Sequence, residues 1–154
     1  MKDPILFLRS GALGDFLLTL PILDALLQAG KTVDAAVPAR FFCLLPSKIR
    51  TRYAIDQAES LWIFSGIPRD HKVIICFSPH LAEIWSRTSL EVRTTDPIPT
   101  QKPAIFHYAQ VIPEFSISPP RLSFATKPLS GPAPVVISPG SGGLHKRWPL
   151  EKWM

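Results

Sequence analysis

Residues 4–9 read PILFLR, a short continuous apolar run, and residues 10–15, SGALGD, break it at once. A run of that kind ahead of a small-residue turn reads as a buried strand entering a turn. FLLTLPILDALLQAG (Phe16–Gly30) then reads as a helix, apolar on most sides. Asp24, Gln28 and Lys31 give it a thin polar stripe, and Gly30 is a natural stop. Pro21 lies inside this stretch, so either it kinks the helix or the regular part begins just before it. VDAAV follows as a second short strand. A strand, a glycine turn, a helix and a strand in that order imply a parallel sheet with a right-handed crossover.

Further along, ARFFCLLPSKIRTRY reads as a short helix and a basic loop carrying Arg40, Lys48, Arg50 and Arg52. KVIICFS (Lys72–Ser78) is the clearest later strand. PHLAEIWSRT is helical with Pro79 near its first turn. LEVRTTD is a weaker strand, and FHYAQVI (Phe106–Ile112) is helical. Residues 113–134 turn to proline, serine and glycine, a linker-like composition. VVISPGSGG after it is again a strand entering a small-residue turn. The expected organisation is a Rossmann-like α/β domain over 1–112, a Pro-rich linker over 113–134, and a second strand, loop and helix start over 135–154.

Composition bounds the function. The chain has 154 residues, one domain's worth or one domain plus a scrap of another. Hydrophobic residues are 46%, enough to fill a core. The formal charge of +5 suits an anionic partner such as a nucleotide, a phosphorylated sugar, a nucleic acid or an acidic membrane surface, and does not choose among them. Cys43 and Cys76 lack metal-type spacing and read as two buried thiols. His71, His80, His107 and His145 are scattered with no paired-histidine motif, so no metal site is expected. Asp3, Arg9 and Asp15 interrupt the apolar N-terminus, which excludes a signal peptide, and no uncharged stretch reaches the length of a membrane span. The expected compartment is the cytoplasm.

Two stretches can carry chemistry. In Ser10–Asp15, Gly11 and Gly14 let the backbone turn sharply and leave amides exposed at the head of a helix. The spacing is neither the dinucleotide fingerprint nor a P-loop. Asp15 stands where a strand's carboxyl end meets a helix N-terminus, the ligand-facing edge of a parallel sheet. A carboxylate there can accept a proton from a sugar hydroxyl, or it can simply cap the helix. In Ser138–Pro149, Gly140, Gly142 and Gly143 leave the backbone open, Ser141 offers a hydroxyl, and Lys146 and Arg147 add positive charge ahead of Pro149. Glycine amides, cation and helix start together make a diphosphate cradle or an ordinary basic surface turn. Gly11-Ala12-Leu13-Gly14 also fits a Gly-x-x-Gly nucleic-acid clamp.

Taken together, ILFLRSGALGDFLLTLP and ISPGSGGLHKRWPLEKW resemble glycosyltransferase family 9, the ADP-heptose:lipopolysaccharide heptosyltransferases. Leu13, Gly14, Asp15 with Thr19, Leu20, Pro21 carry the first motif, and Pro139, Gly140, Lys146, Trp148, Pro149 and Trp153 the second. The resemblance implies the N-terminal half of a GT-B glycosyltransferase, inverting and metal-independent, with no cofactor. It implies Asp15 as the base, Ser10, Gly11 and Gly14 as the acceptor-side loop, and Gly140, Ser141, Gly142, Gly143 and Lys146 as donor contacts. The partners implied are a nucleotide sugar such as ADP-heptose and a lipopolysaccharide-type glycan acceptor, with peripheral contact at the inner membrane and no nucleic acid. Family members are longer, so the chain reads as a truncated piece with little or no activity alone. The alternatives are a basic nucleic-acid-binding module and a nonfunctional remnant.

Overall fold

A computed structural model describes residues 3–67, 69–100 and 103–117. Five strands form one all-parallel sheet: β1 (Ile5–Leu8), β2 (Val33–Val37), β3 (Arg52–Ala54), β4 (Val73–Cys76) and β5 (Glu91–Thr94). Their spatial order is β3-β2-β1-β4-β5. The connecting helices are α1 (Leu13–Gln28), α2 (Trp62–Ser65), α3 (Pro79–Ser86) and α4 (Ala104–Ala109), with short 3-10 turns at Ala39–Leu44 and Ala58–Ser60. The α/β, Rossmann-like architecture expected from the sequence is the one observed.

The two faces of the sheet fill separate cores, set by the period-two alternation of the strands. Ile5, Phe7, Val33, Ala35, Val37 and Ile75 pack with α1 and with Tyr108, Val111 and Ile112 around α4. Leu6, Leu8, Ala36, Ile74 and Cys76 pack on the other face with Ile63 of α2 and Leu81, Ala82 and Trp85 of α3. Because helices cover both faces, every residue of β1 and β2 is buried.

Helix α1 begins three residues earlier than the apolar pattern predicts, so Gly14 and Asp15 lie inside its first turn. Pro21 sits within the helix rather than at its start, and removes one backbone donor there. Between β2 and β4 the sequence reading saw a helix and a basic loop, and β3 went unseen. Its three residues carry no apolar run, and pairing with β2 makes the strand. Cys43 corrects a second expectation: it is exposed, because the 3-10 turn that holds it buries Phe41 instead. Cys76 is the buried thiol, and burial pushes it up to about 11.

Among the described residues one carboxylate is wholly buried. Asp34 of β2 is completely buried and accepts hydrogen bonds from Arg50 Nε at 2.8 Å and His71 Nε2 at 2.8 Å. Arg50 reaches on to Asp70 at 2.8 Å. These residues stand near the amino ends of β2, β3 and β4, so the cluster ties three strands at the edge opposite the glycine turn. Burial pushes the Asp34 carboxyl up, but hydrogen bonds from Arg50, His71 and Thr51 and the Arg50 charge outweigh it and hold the group below the usual carboxylate range. Arg50 is therefore committed to the fold and is no free cation of the basic loop.

Asp34→Asn leaves two donors without their anion and should cost roughly 3 kcal/mol, read from urea midpoints at neutral pH. The folded pKa is depressed, so the ion-pair contribution is complete above the unfolded value of about 4 and is lost as pH falls through the folded value. Unfolding midpoints measured across the acid range should fall steeply there for the wild type and more shallowly for Asp34→Asn.

Candidate functional site

The chain leaves β1, builds outward through β2 and β3, then crosses back to lay β4 on the other side of β1. The carboxyl ends of β1 and β4 thus flank the point where the strand order reverses, the crevice in which open α/β sheets take ligands. The two ladders run to that edge. Arg9 N–H donates to Ala36 O at 3.0 Å and Phe77 N–H to Leu8 O at 3.4 Å. Beyond them the strands separate into the Ser10–Ala12 turn on one side and Ser78 on the other.

Three features shape the turn after β1. Gly11 has φ of +107°, a backbone conformation that side chains disfavour, so glycine is needed there. Gly14 has ordinary helical geometry, and an added Cβ would meet nothing within 4 Å, so the space in front of it is open. Ala12 is the N-cap of α1 and offers no side-chain acceptor, so the first-turn amides face outward without a cap. A glycine-x-x-glycine loop that follows a central strand and enters a sixteen-residue helix is not the helix–loop–helix clamp of nucleic-acid modules.

Asp15 is the third residue of α1, and its side chain is 52% exposed at this edge. It makes no capping hydrogen bond to the helix, although a carboxylate in the first turn still suits the positive helix end. Its neighbour is a residue that sequence reasoning passed over. Arg9 is only 4% exposed, and its guanidinium lies over the rings of Phe77 at 5.2 Å and Tyr108 at 5.1 Å. Arg9 Nη2 stands 3.9 Å from the Asp15 carboxylate. The signal for Arg9 was present: a cation directly after four buried apolar residues must either reach water or find partners inside. What the sequence does not show is that Phe77, at the end of β4, and Tyr108, on α4, converge on it.

Ser10, Gly11, Gly14 and Asp15 are thus brought together at one sheet edge, with Arg9 behind them. Gly140, Ser141, Gly142, Gly143 and Lys146 lie outside the described residues. Asp34, Asp70 and His71 gather within 4.8 Å of one another, but the Arg50 guanidinium already bridges both carboxylates, and this cluster stands at the opposite edge of the sheet. A groove beside β5 and α4, lined by Arg93, Gln110 and Glu114, is separate from Asp15. Among the described residues no helix is long and apolar enough to cross a membrane.

No protein-family model and no curated protein matches the chain in sequence. In fold it is similar to solved glycosyltransferases. The structure of a family 9 glycosyl transferase from Veillonella parvula DSM 2008 superposes with a TM-score of 0.67 at 14% identity, covering 99% of this chain and 58% of that one. E. coli heptosyltransferase WaaC with ADP superposes with a TM-score of 0.50 at 18% identity, covering 78% of this chain and 49% of that one. The chain therefore spans about half the length of the solved structures it matches. Solved structures of the family that the two sequence motifs resemble thus share this chain's fold, a Rossmann-like α/β sheet.

Proposed function

We propose that this chain is the acceptor-side domain of a heptosyltransferase-like glycosyltransferase. It receives a lipopolysaccharide-type glycan acceptor, and the protein that carries it uses a nucleotide sugar, ADP-heptose by resemblance, as donor. The observation that carries this reading is Asp15: a half-exposed carboxylate in the first turn of α1, beside the crevice between β1 and β4, in a fold similar to family 9 glycosyltransferases.

The chemistry asked of Asp15 is general-base catalysis. Its carboxylate accepts the proton of an acceptor hydroxyl as that oxygen attacks the anomeric carbon, and the leaving nucleoside diphosphate departs from the opposite face, with inversion. The open space before Gly14 and the uncapped amides of the first turn let a sugar approach the backbone closely. The donor side, with Gly140, Ser141, Gly142, Gly143 and Lys146 against the diphosphate, follows the same resemblance and uses electrostatic stabilisation of the leaving group. No metal or cofactor is required by this scheme. The work is placed at the cytoplasmic face of the inner membrane, where such acceptors are assembled.

The test is product formation from ADP-heptose and a lipopolysaccharide core acceptor by the protein that carries this chain. Asp15→Asn should lower kcat by about a hundredfold or more without weakening acceptor binding. Full activity of Asp15→Asn would overturn the assignment of the base. Gly14→Ala separates fold from function: the methyl fits and favours the helix by about 0.5 kcal/mol, yet occupies the space offered to the acceptor. It should raise the urea midpoint and weaken acceptor binding in calorimetry. Gly11→Ala should instead lower stability by about 1 kcal/mol, because alanine disfavours positive φ.

A further inference from the structure

Arg9 has more hydrogen-bonding capacity than its surroundings use. A guanidinium carries five N–H donors, and burying one is costly unless they are satisfied. Nε of Arg9 is buried with no hydrogen-bond partner among the described residues. The Asp15 carboxylate, at 3.9 Å, lies beyond hydrogen-bond reach and is half exposed to water. The rings of Phe77 and Tyr108 stabilise the charge through their faces but accept none of its in-plane donors. Arg50 shows the contrast: its guanidinium is engaged by both Asp34 and Asp70. Arg9 is instead flanked by aromatic side chains in place of acceptors.

We propose that Arg9 is an oxyanion receptor, a subsite for a carboxylate or phosphate group of the ligand that enters the crevice beside Asp15. The inference rests on the reading of that crevice as the acceptor site. Two positive features converge there: the Arg9 charge and the N-terminus of the sixteen-residue α1, whose uncapped first-turn amides carry the positive end of the helix dipole. Among the described residues Asp15 is the one carboxylate within 4 Å of Arg9, and it is assigned a different task. The acceptor's anionic group meets Arg9 while a neighbouring hydroxyl meets Asp15, so the two side chains divide recognition from proton transfer. Because Phe77 and Tyr108 fix the guanidinium, its paired N–H groups are preorganised for two-point binding of an oxyanion.

The experiment is NMR observation of the Arg9 Nε–H resonance in the full 154-residue chain, titrated separately with inorganic phosphate and with acetate. A saturable shift is expected with at least one of them, and which one responds names the anion class. Asp15→Asn removes the competing carboxylate at an exposed position and should tighten that binding several-fold. Arg9→Met, checked for folding by its amide spectrum, should weaken it by about tenfold or more. No saturable shift with either anion would overturn the proposal. So would unchanged or weaker binding in Asp15→Asn, which stands even where Arg9→Met fails to fold. None of these readouts needs turnover, so anion binding without sugar transfer would overturn only the transferase reading, and transfer without anion binding only the subsite.

Discussion

Strand β1 is hydrogen-bonded on both sides and buried on both faces, and the rest of the structure is arranged around that constraint. A central strand has no exposed surface on which to place a polar group. Chemistry can only appear where it ends. Its carboxyl end opens into the turn Ser10–Ala12 at the point where the sheet changes direction, which is why the residues with chemical potential collect there. The amino end is closed off from function by the Asp34–Arg50–His71 cluster, which satisfies a buried carboxylate and ties the neighbouring strands.

The two edges of the sheet thus use charge in opposite ways. At the amino edge, Asp34 is met by donors held within hydrogen-bonding distance and Arg50 is engaged by two carboxylates, although the far ring nitrogen of His71 has no partner among the described residues. At the carboxyl edge, Arg9 and Asp15 stand 3.9 Å apart, too far for a hydrogen bond, and the helix above them lacks a cap. Satisfied charge fixes a fold, whereas unsatisfied charge beside an open crevice leaves capacity for a ligand. The contrast between Arg50 and Arg9, both arginines close to strand ends, is the clearest expression of this in the molecule.

The aromatic pair around Arg9 shows how one of the two cores serves the site. Phe77 directly follows β4 and Tyr108 belongs to α4, and they meet edge to face with centroids 5.7 Å apart. Tyr108 is fully buried and its hydroxyl donates to Pro97 O at 3.0 Å, so its ring is anchored at both ends. Packing that stabilises one face of the sheet thereby also orients a cation at its edge. A substitution in α4 can for that reason disturb the site without touching any ligand.

The local pattern of the chain was enough to place β1, β2, β4 and β5, to read the main helices, and to mark Gly11, Gly14 and Asp15 as the residues of interest. These depend on short-range regularities: apolar runs, a glycine turn, and charges at helix and strand ends. Tertiary structure alone decided that β3 is a strand, since three residues become one only by pairing with β2. It also decided that Arg50 is structural and that Cys43 is exposed. Above all it decided that Arg9 lies against the ring of Phe77, just past β4, and the ring of Tyr108 on α4. Those partners are separated from Arg9 by 68 and 99 positions in the chain, and no local periodicity encodes a meeting that parallel pairing across the sheet brings about.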